Sequence, residues 1–593
     1  MSTLKKIQAA KDISDLAKIL GYSKQTLAYI VYGLDRESQY KKFKIKKRSG
    51  GKREINAPKS KLKLLQRKIS FFLYDCLSEI SISHNRTNSF SHGFMPDRSI
   101  ATNAQTHRNK RWILNIDLKD FFPSIHFGRV RGILIKDNAY NLNPNIAQII
   151  AQICCLDDGL PQGAPTSPIL SNIVTRPLDL RLTALAKKHK CVYTRYADDI
   201  TFSTNQKEFP AEIAHIDSSG STLISKTLKD EINGSGFDVN NQKTRLQSRK
   251  DRQSVTGLIV NKRVNVPREY RKYVRAMVDG YIKNDDFSIP RPLEHRSENK
   301  QNSEVSSSNV LQGMLGFIDK IDLFSEKNIN ELNEDQFLLK TNKSYSTKEL
   351  SSQEKVYKKF LFYEKFYASK TPILILEGKT DNSHIRYATR NLGSKYPDLC
   401  FKNSDNTYQP LFRILACEPK RTNAIIGLCG GAPSIGVFAQ EYGSVFSNKE
   451  KKFSWRTTGR QTMPSIIILD DDDGYKDFKG RYPESKIQEK INDFTYHLKS
   501  NLYLIKIHPS TSKKNRAIED LYPDWVLKHQ LNGRTLNLSN QSFDLKKYYG
   551  KSDFAEKVIP ELYKNIDFSD FETLFNAIRN CIEHWTNQAN RFV

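Results

Sequence analysis

Two adjacent carboxylates, Asp198 and Asp199, interrupt Tyr193-Thr-Arg-Tyr-Ala-Asp-Asp-Ile-Thr-Phe-Ser203 between two runs that favour β-structure. Neither acid serves a core. A strand-turn-strand hairpin with both at its tip holds two negative charges together, a cost that a cation removes. A third carboxylate, Asp117, ends the apolar run Trp112-Ile-Leu-Asn-Ile-Asp117. Three hard oxygen donors at strand ends fit a two-metal phosphoryl-transfer centre, because Mg2+ prefers carboxylate oxygen and bridges an attacking hydroxyl and a triphosphate. A second acid set follows in the C-terminal half. The buried-type strand at 371–376 leads into Glu377-Gly-Lys-Thr-Asp381, and Ser465-Ile-Ile-Ile-Leu leads into Asp470-Asp-Asp-Asp-Gly474. A third strand, Asn501-Leu-Tyr-Leu-Ile-Lys-Ile507, precedes Ala517-Ile-Glu-Asp520. Functional groups gather beyond the carboxyl ends of such parallel strands.

The elements that position these acids can be read from periodicity. Residues 3–34 carry helical spacing, with a second short helix starting at Ser23. Two alternating strands around Gly50-Gly51 form a basic hairpin over 43–58 with Lys52 and Arg53, suited to phosphates or to a solvated edge. An amphipathic helix spans 60–81. The Gly/Pro-rich loop Gly159-Leu-Pro-Gln-Gly-Ala-Pro-Thr-Ser167 sits directly before an apolar helix. A helix is expected near 221–235, then strands around Val255–Val260, with Lys243 on a returning segment able to reach the first acid set. Residues 285–309 are polar and read as an insertion or linker. The tail beyond 525 reads as mainly helical, and no internal repeat is present.

At 593 residues the chain exceeds one core and implies several domains. Its 94 Lys+Arg against 65 Asp+Glu give +29, of which +22 falls in residues 1–320. That asymmetry points to a polyanionic partner for the first half, nucleic acid above all. The eight cysteines form no C-x-x-C pair and no zinc-type spacing, so they read as reduced core thiols. Met-Ser-Thr-Leu-Lys-Lys has no apolar signal-peptide core and no run of about eighteen apolar residues occurs. A cytoplasmic protein without a membrane span is expected.

Taken together, Asn115-Ile-Asp-Leu-Lys-Asp-Phe-Phe122, Leu160-Pro-Gln-Gly-Ala-Pro-Thr-Ser-Pro168, Tyr196-Ala-Asp-Asp199, Asn103-Ala-Gln-Thr-His107 and Val255-Thr-Gly257 resemble, in order, the motifs of retron-type bacterial reverse transcriptases. The resemblance covers about the first 320 residues. It implies an α+β right-hand polymerase: fingers and palm over 1–266, and a thumb with connector over 267–368. It implies Mg2+ at Asp117, Asp198 and Asp199, and deoxynucleoside triphosphates bound by Lys52, Arg53, Gln162 and Lys243, the last at the position proposed to protonate pyrophosphate. Phe122 matches the steric gate, where a bulky ring excludes a ribose 2′-hydroxyl; on spacing alone it is equally a core aromatic. Asn103, His107, Val255, Thr256 and Gly257 would contact a cognate structured non-coding RNA. The family copies part of that RNA into multicopy single-stranded DNA, primed from a guanosine 2′-hydroxyl. A group II intron-like enzyme is the alternative, although its downstream X domain is not visible.

Residues 371–525 are similar to the TOPRIM domain of topoisomerases, primases and OLD-type nucleases, which implies an α/β unit with a parallel sheet over 369–593. Glu377 then stands at the acid/base position, with Asp470 and Asp472 as ligands of a second divalent ion and Glu519 or Asp520 as a further acid. The run of four aspartates leaves Asp471 or Asp473 open as ligands. Retrons with such a fusion imply a nuclease effector restrained by the RNA–DNA product and released by phage infection, in an assembly of several copies. A different reading is a non-cutting nucleic-acid-binding module that uses Lys379, Lys451 and Lys452.

Overall fold

A computed structural model describes all residues except 1, 47–50, 84–89, 158, 285, 289–306, 331–348, 443–462, 509–516, 540–543 and 591–593. Nearly all of the polar stretch 285–309, and both Lys451 and Lys452, lie outside the described residues. The chain forms two compact units. The first comprises the described residues of 1–273 and 320–329; the second comprises those of 274–288, 307–319 and 330–590.

In the first unit, three short helices open the chain, and side chains of Ser2, Asp12 and Ser23 cap them. Strands β1 (Tyr40–Lys46) and β2 (Lys52–Pro58) pair antiparallel. The helix Ser60–Ser83 buries Leu62, Leu65, Ile69, Leu73, Cys76 and Ile80, one stripe at helical spacing. The central strand β3 (Trp112–Lys119) is flanked by β4 (Val192–Tyr196) and β5 (Asp199–Thr204) on one side. The hairpin β6 (Ala214–Ile216) and β7 (Thr222–Ile224) follows. The helix expected near 221–235 is therefore shorter. It runs Lys226–Asn233 with Ser225 as N-cap, because the β-branched Thr222 and Ile224 pair as a strand instead. Strands β8 (Asp238–Val239) and β9 (Arg245–Ser248) pair with the other edge of β3, completing a five-stranded antiparallel sheet. Strands β10 (Ser254–Val255) and β11 (Leu258–Ile259) form a hairpin around Thr256-Gly257, both at positive φ as a two-residue turn of this twist requires. One core joins the sheet to the helices through Leu114, Ile116, Leu118, Ile200 and Phe202.

In the second unit, β12 (Ile373–Leu376) is wholly buried, as its unbroken Ile-Leu-Ile-Leu demands. Strands β13 (Cys400–Lys402) and β14 (Tyr408–Pro410) form a side hairpin. Strands β15 (Arg413–Ala416), β16 (Ser465–Leu469), β17 (Glu489–Lys490), β18 (Thr495–Lys499) and β19 (Leu502–Lys506) complete a six-stranded sheet in the order β15-β12-β16-β19-β18-β17. The first four are mutually parallel; β18 and β17 are antiparallel additions. The tail is not mainly helical throughout: β20 (Thr535–Leu536) and β21 (Tyr548–Tyr549) pair before the long helix Phe571–Asn590. Among the described residues no helix is long and apolar enough to cross a membrane. All eight cysteines are buried, and none forms a disulfide.

Candidate functional site

The first cluster is assembled by register. Asp117 stands opposite Asp199 across β3 and β5, and the Leu118 N–H donates to the Asp198 carbonyl at 2.9 Å. Since Tyr196 pairs with Asp199, the turn is the two residues Ala197 and Asp198, with Ala197 at φ 55°. A left-handed alanine is strained and needs support from its surroundings. Arg195 provides it: wholly buried, it donates to both oxygens of Asp179 at 2.7 and 2.8 Å and to the Ala197 carbonyl at 3.0 Å. Tyr193 donates to the same carboxylate at 2.7 Å. Gly93 lies so close that a Cβ there would sit 2.5 Å from the Ala197 nitrogen. This buried platform was not singled out from sequence; an arginine directly before Tyr-Ala-Asp-Asp is its only trace.

Electrostatically the cluster calls for a cation. Burial, then repulsion from Asp198 and Asp117, pushes Asp199 up to about 6. Asp198 is raised mainly by burial, with Asp117 adding to it and Lys243 and Arg53 opposing it. Lys243 Nζ donates to both oxygens of Asp117 at 2.9 and 3.1 Å, and that hydrogen bond raises its own pKa. The Asn240 amide reaches Asp117 at 3.1 Å. An all-oxygen donor set whose members repel one another is a fit for Mg2+.

The surrounding loops converge on this end of the sheet. The Asn56 N–H donates to the Gln162 carbonyl at 2.8 Å, and Gly163, at φ 115°, lies against Ile55, so the Gly/Pro loop is clamped to the basic hairpin. Lys52 and Arg53 are exposed on β2. Phe122 is half-buried, edge-on to Phe121 and 6.0 Å from Phe94. Three of the residues expected to contact RNA lie inside the first unit. Asn103, His107 and Val255 are wholly buried; His107 bonds Ser203 and Thr194 at 2.7 Å each, and burial lowers its ring to about 3, so it is neutral. They brace β4, β5 and the β10–β11 hairpin from inside. Of that set, Thr256 is half-exposed and Gly257 exposed.

The second cluster gathers at the carboxyl ends of β12 and β16, adjacent and parallel. Glu377 follows β12, accepts the Ala432 N–H and is raised by burial and then by Asp472 and Asp381. Asp470 follows β16, accepts the Ile518 N–H at 3.0 Å, and is pushed up to about 8 by burial and then by Asp381 and Glu519. A Cβ on Gly474 would lie 3.0 Å from Asp472 and 3.1 Å from Glu377, so both carboxylates crowd this glycine. Within the aspartate run the partners differ: Asp471 pairs with Lys506 at 3.6 Å, Asp473 is exposed and pairs with Lys476 at 2.7 Å, and Asp472 acts on both Glu377 and Asp470. Glu519 is buried, and Lys551 reaches it at 3.3 Å. Asp381 and Lys551 are members that the sequence reading missed; Asp381 stood inside a quoted motif, but Lys551 lies in a stretch without pattern. Here too, an oxygen-only set with raised carboxyls fits a divalent cation.

Residues 45–276 match the family "Reverse transcriptase (RNA-dependent DNA polymerase)". The chain is 37% identical over 297 residues to retron Mx65 reverse transcriptase of Myxococcus xanthus, covering 47% of this chain and 64% of that one. It is 32% identical over 330 residues to retron Mx162 reverse transcriptase of the same organism, covering 52% and 63%. The matches thus span a little under two thirds of these two relatives. Against retron Ec86 reverse transcriptase of Escherichia coli it is 32% identical over 270 residues, which is 45% of this chain and 77% of that protein. With three acids brought together on an antiparallel sheet and a relative of this identity matched over most of its length, the chain belongs to the retron reverse transcriptases.

Proposed function

We propose that the first unit is an RNA-directed DNA polymerase that copies part of a cognate structured RNA into branched RNA–DNA, and that the second is a metal-dependent TOPRIM nuclease acting as an anti-phage effector in the cytoplasm. The observation that carries the first half is Asp117 in register with Asp199 beside a turn that presents Asp198. Asp117, Asp198 and Asp199 would hold Mg2+, which when bound makes the primer hydroxyl easier to deprotonate and screens the triphosphate. Lys52 and Arg53 bind that triphosphate from the hairpin, and Gln162, tied to the same hairpin, lines the nucleotide's path. The attacking hydroxyl releases its proton to solvent as its oxygen displaces pyrophosphate from the α-phosphorus; Lys243, kept protonated by Asp117, gives its Nζ proton to the leaving oxygen. Phe122 closes the space beside the sugar C2′.

The second half rests on Glu377 and Asp470 following neighbouring parallel strands, with Asp472 acting on both. They would hold a divalent ion that supplies Lewis-acid activation of a phosphodiester. Lys379, named for a purely binding module, is exposed and pairs with Glu556 at 3.3 Å. The test is sequencing of nucleic acid that co-purifies with the chain, alongside Mg2+-dependent cleavage by Asp198→Asn. A branched RNA–DNA species and cleavage that survives Asp198→Asn but not Glu377→Ala support both halves. Linear RNA alone counts against the first half, and no cleavage against the second, leaving a binding module. Phage protection unchanged by Glu377→Ala would remove the effector role.

A further inference from the structure

At the other edge of the six-stranded sheet, Glu489 on β17, His497 on β18 and His584 on the helix Phe571–Asn590 each bring one ligand atom within 4.8 Å of the others. No other trio of His, Cys, Asp or Glu does so among the described residues. From this geometry we propose a second class of metal site, a borderline first-row cation of which Zn2+ is the best match, pinning the C-terminal helix to the sheet edge.

The argument rests on how each ring is held. His497 is buried, and its Nε2 lies 2.7 Å from the Ser500 carbonyl, so that nitrogen carries the hydrogen and Nδ1 is the one left as a lone-pair donor. His584 Nδ1 lies 2.9 Å from the Tyr503 hydroxyl, and its Nε2 faces Glu489 Oε2 at 3.1 Å. Tyr503, wholly buried, also stacks on His497 with ring centres 4.8 Å apart, so one side chain braces both imidazoles. Imidazoles held through one nitrogen by an oxygen partner, as His497 is by the Ser500 carbonyl and His584 by the Tyr503 hydroxyl, have the supporting shell that metal-binding histidines use. Gln588 lies 3.4 Å from His584 Nε2, and its amide can present oxygen as a fourth donor, or water can fill that position beside the exposed Glu489. Two imidazole nitrogens and one carboxylate select zinc over Mg2+, whereas the two carboxylate clusters select the reverse. Three ligands from three separate elements fix the helix only when all three meet, which is why no local spacing signals the site.

The experiment uses the full-length protein, stripped with EDTA, dialysed into excess Mg2+ to occupy the carboxylate clusters, and given ZnCl2 before gel filtration. Zinc is then measured by atomic absorption. About one zinc per chain is expected in the wild type and in Glu377→Gln/Asp470→Asn, falling below about a tenth of that in His584→Gln and Glu489→Gln. Zinc should also raise the thermal midpoint of the second unit in the wild type but not in His584→Gln, whose DNA synthesis stays unchanged. Wild-type protein that retains no zinc overturns the proposal, as does equal retention by wild type and His584→Gln. Because His584 and Glu489 sit on partly exposed positions, these two variants keep the test decisive even where His497→Gln fails to fold.

Discussion

At the residue scale, both carboxylate clusters hold partly buried acids that repel one another, at a cost in folded stability. A carboxyl whose folded pKa stands above its unfolded value binds an extra proton when folded, so its contribution favours folding at low pH and is lost as pH rises towards the folded pKa. For Asp199 that window runs from the ordinary carboxylate range to about 6, and for Asp470 to about 8. In EDTA the thermal midpoint should therefore fall between pH 5 and 8, and added Mg2+ should flatten the slope by favouring the ionised forms; a pH series of melting curves with and without Mg2+ checks this. The same protons compete with the metal, so Mg2+ affinity at the second cluster should climb over a more alkaline range than at the first. Asp198→Asn should cut DNA synthesis roughly a thousandfold, since one metal ligand is worth several kcal/mol of transition-state charge stabilisation. Phe122→Ala should let ribonucleotides in while leaving deoxynucleotide extension measurable; unchanged sugar discrimination would reassign the ring to packing against Phe94 and Phe121.

At the scale of elements, the hairpin β4–β5 is held from beneath by a charge pair that has no contact with water. Removing one partner of such a pair leaves the other charge buried and costs about 3–5 kcal/mol. Asp179→Asn should accordingly lower the denaturation midpoint of the first unit and reduce synthesis together, because Arg195 also holds the Ala197 carbonyl. Gly93→Ala tests the same platform from the other side. Its methyl group would meet backbone at 2.5 Å, so the turn itself must move, and synthesis should fall more steeply than stability. The β3 strand illustrates why the acids land where they do. Asn115 and Asp117 share one face while Leu114, Ile116 and Leu118 share the buried one, so register alone turns Asp117 towards the turn.

At the scale of the whole molecule, the charge asymmetry belongs to the nucleic-acid-handling end of the chain. With +22 in residues 1–320, RNA binding should weaken steeply with salt, the logarithm of the affinity falling linearly with the logarithm of salt concentration. A titration across salt concentrations measures this, and a flat response would assign the basic excess to solvation. The two clusters lie in separate compact units, and each has its own lysine on a carboxylate: Lys243 on Asp117 and Lys551 on Glu519. Loss of either cluster by substitution should therefore leave the other unit's metal binding intact.

What the sequence determined by itself was local and periodic. Apolar runs ending in acids named Asp117, Asp198, Asp199, Glu377 and Asp470, because a strand's end and a carboxylate are both written in consecutive residues. The helix at 60–81 and the buried strands at 373–376 and 465–469 were equally legible from their spacing. What only the tertiary structure decided was which distant groups meet. Burial placed Asn103, His107 and Val255 in the interior, where a neutral His107 bridges two strands. Only packing gave the four aspartates different partners, Lys506 for Asp471 and Lys476 for Asp473, which composition cannot tell apart. Asp179 beneath the hairpin, Lys551 beside Glu519, and His584 beside His497 and Glu489 come from elements far apart in the chain, and contact at such separations follows from packing rather than from any local pattern.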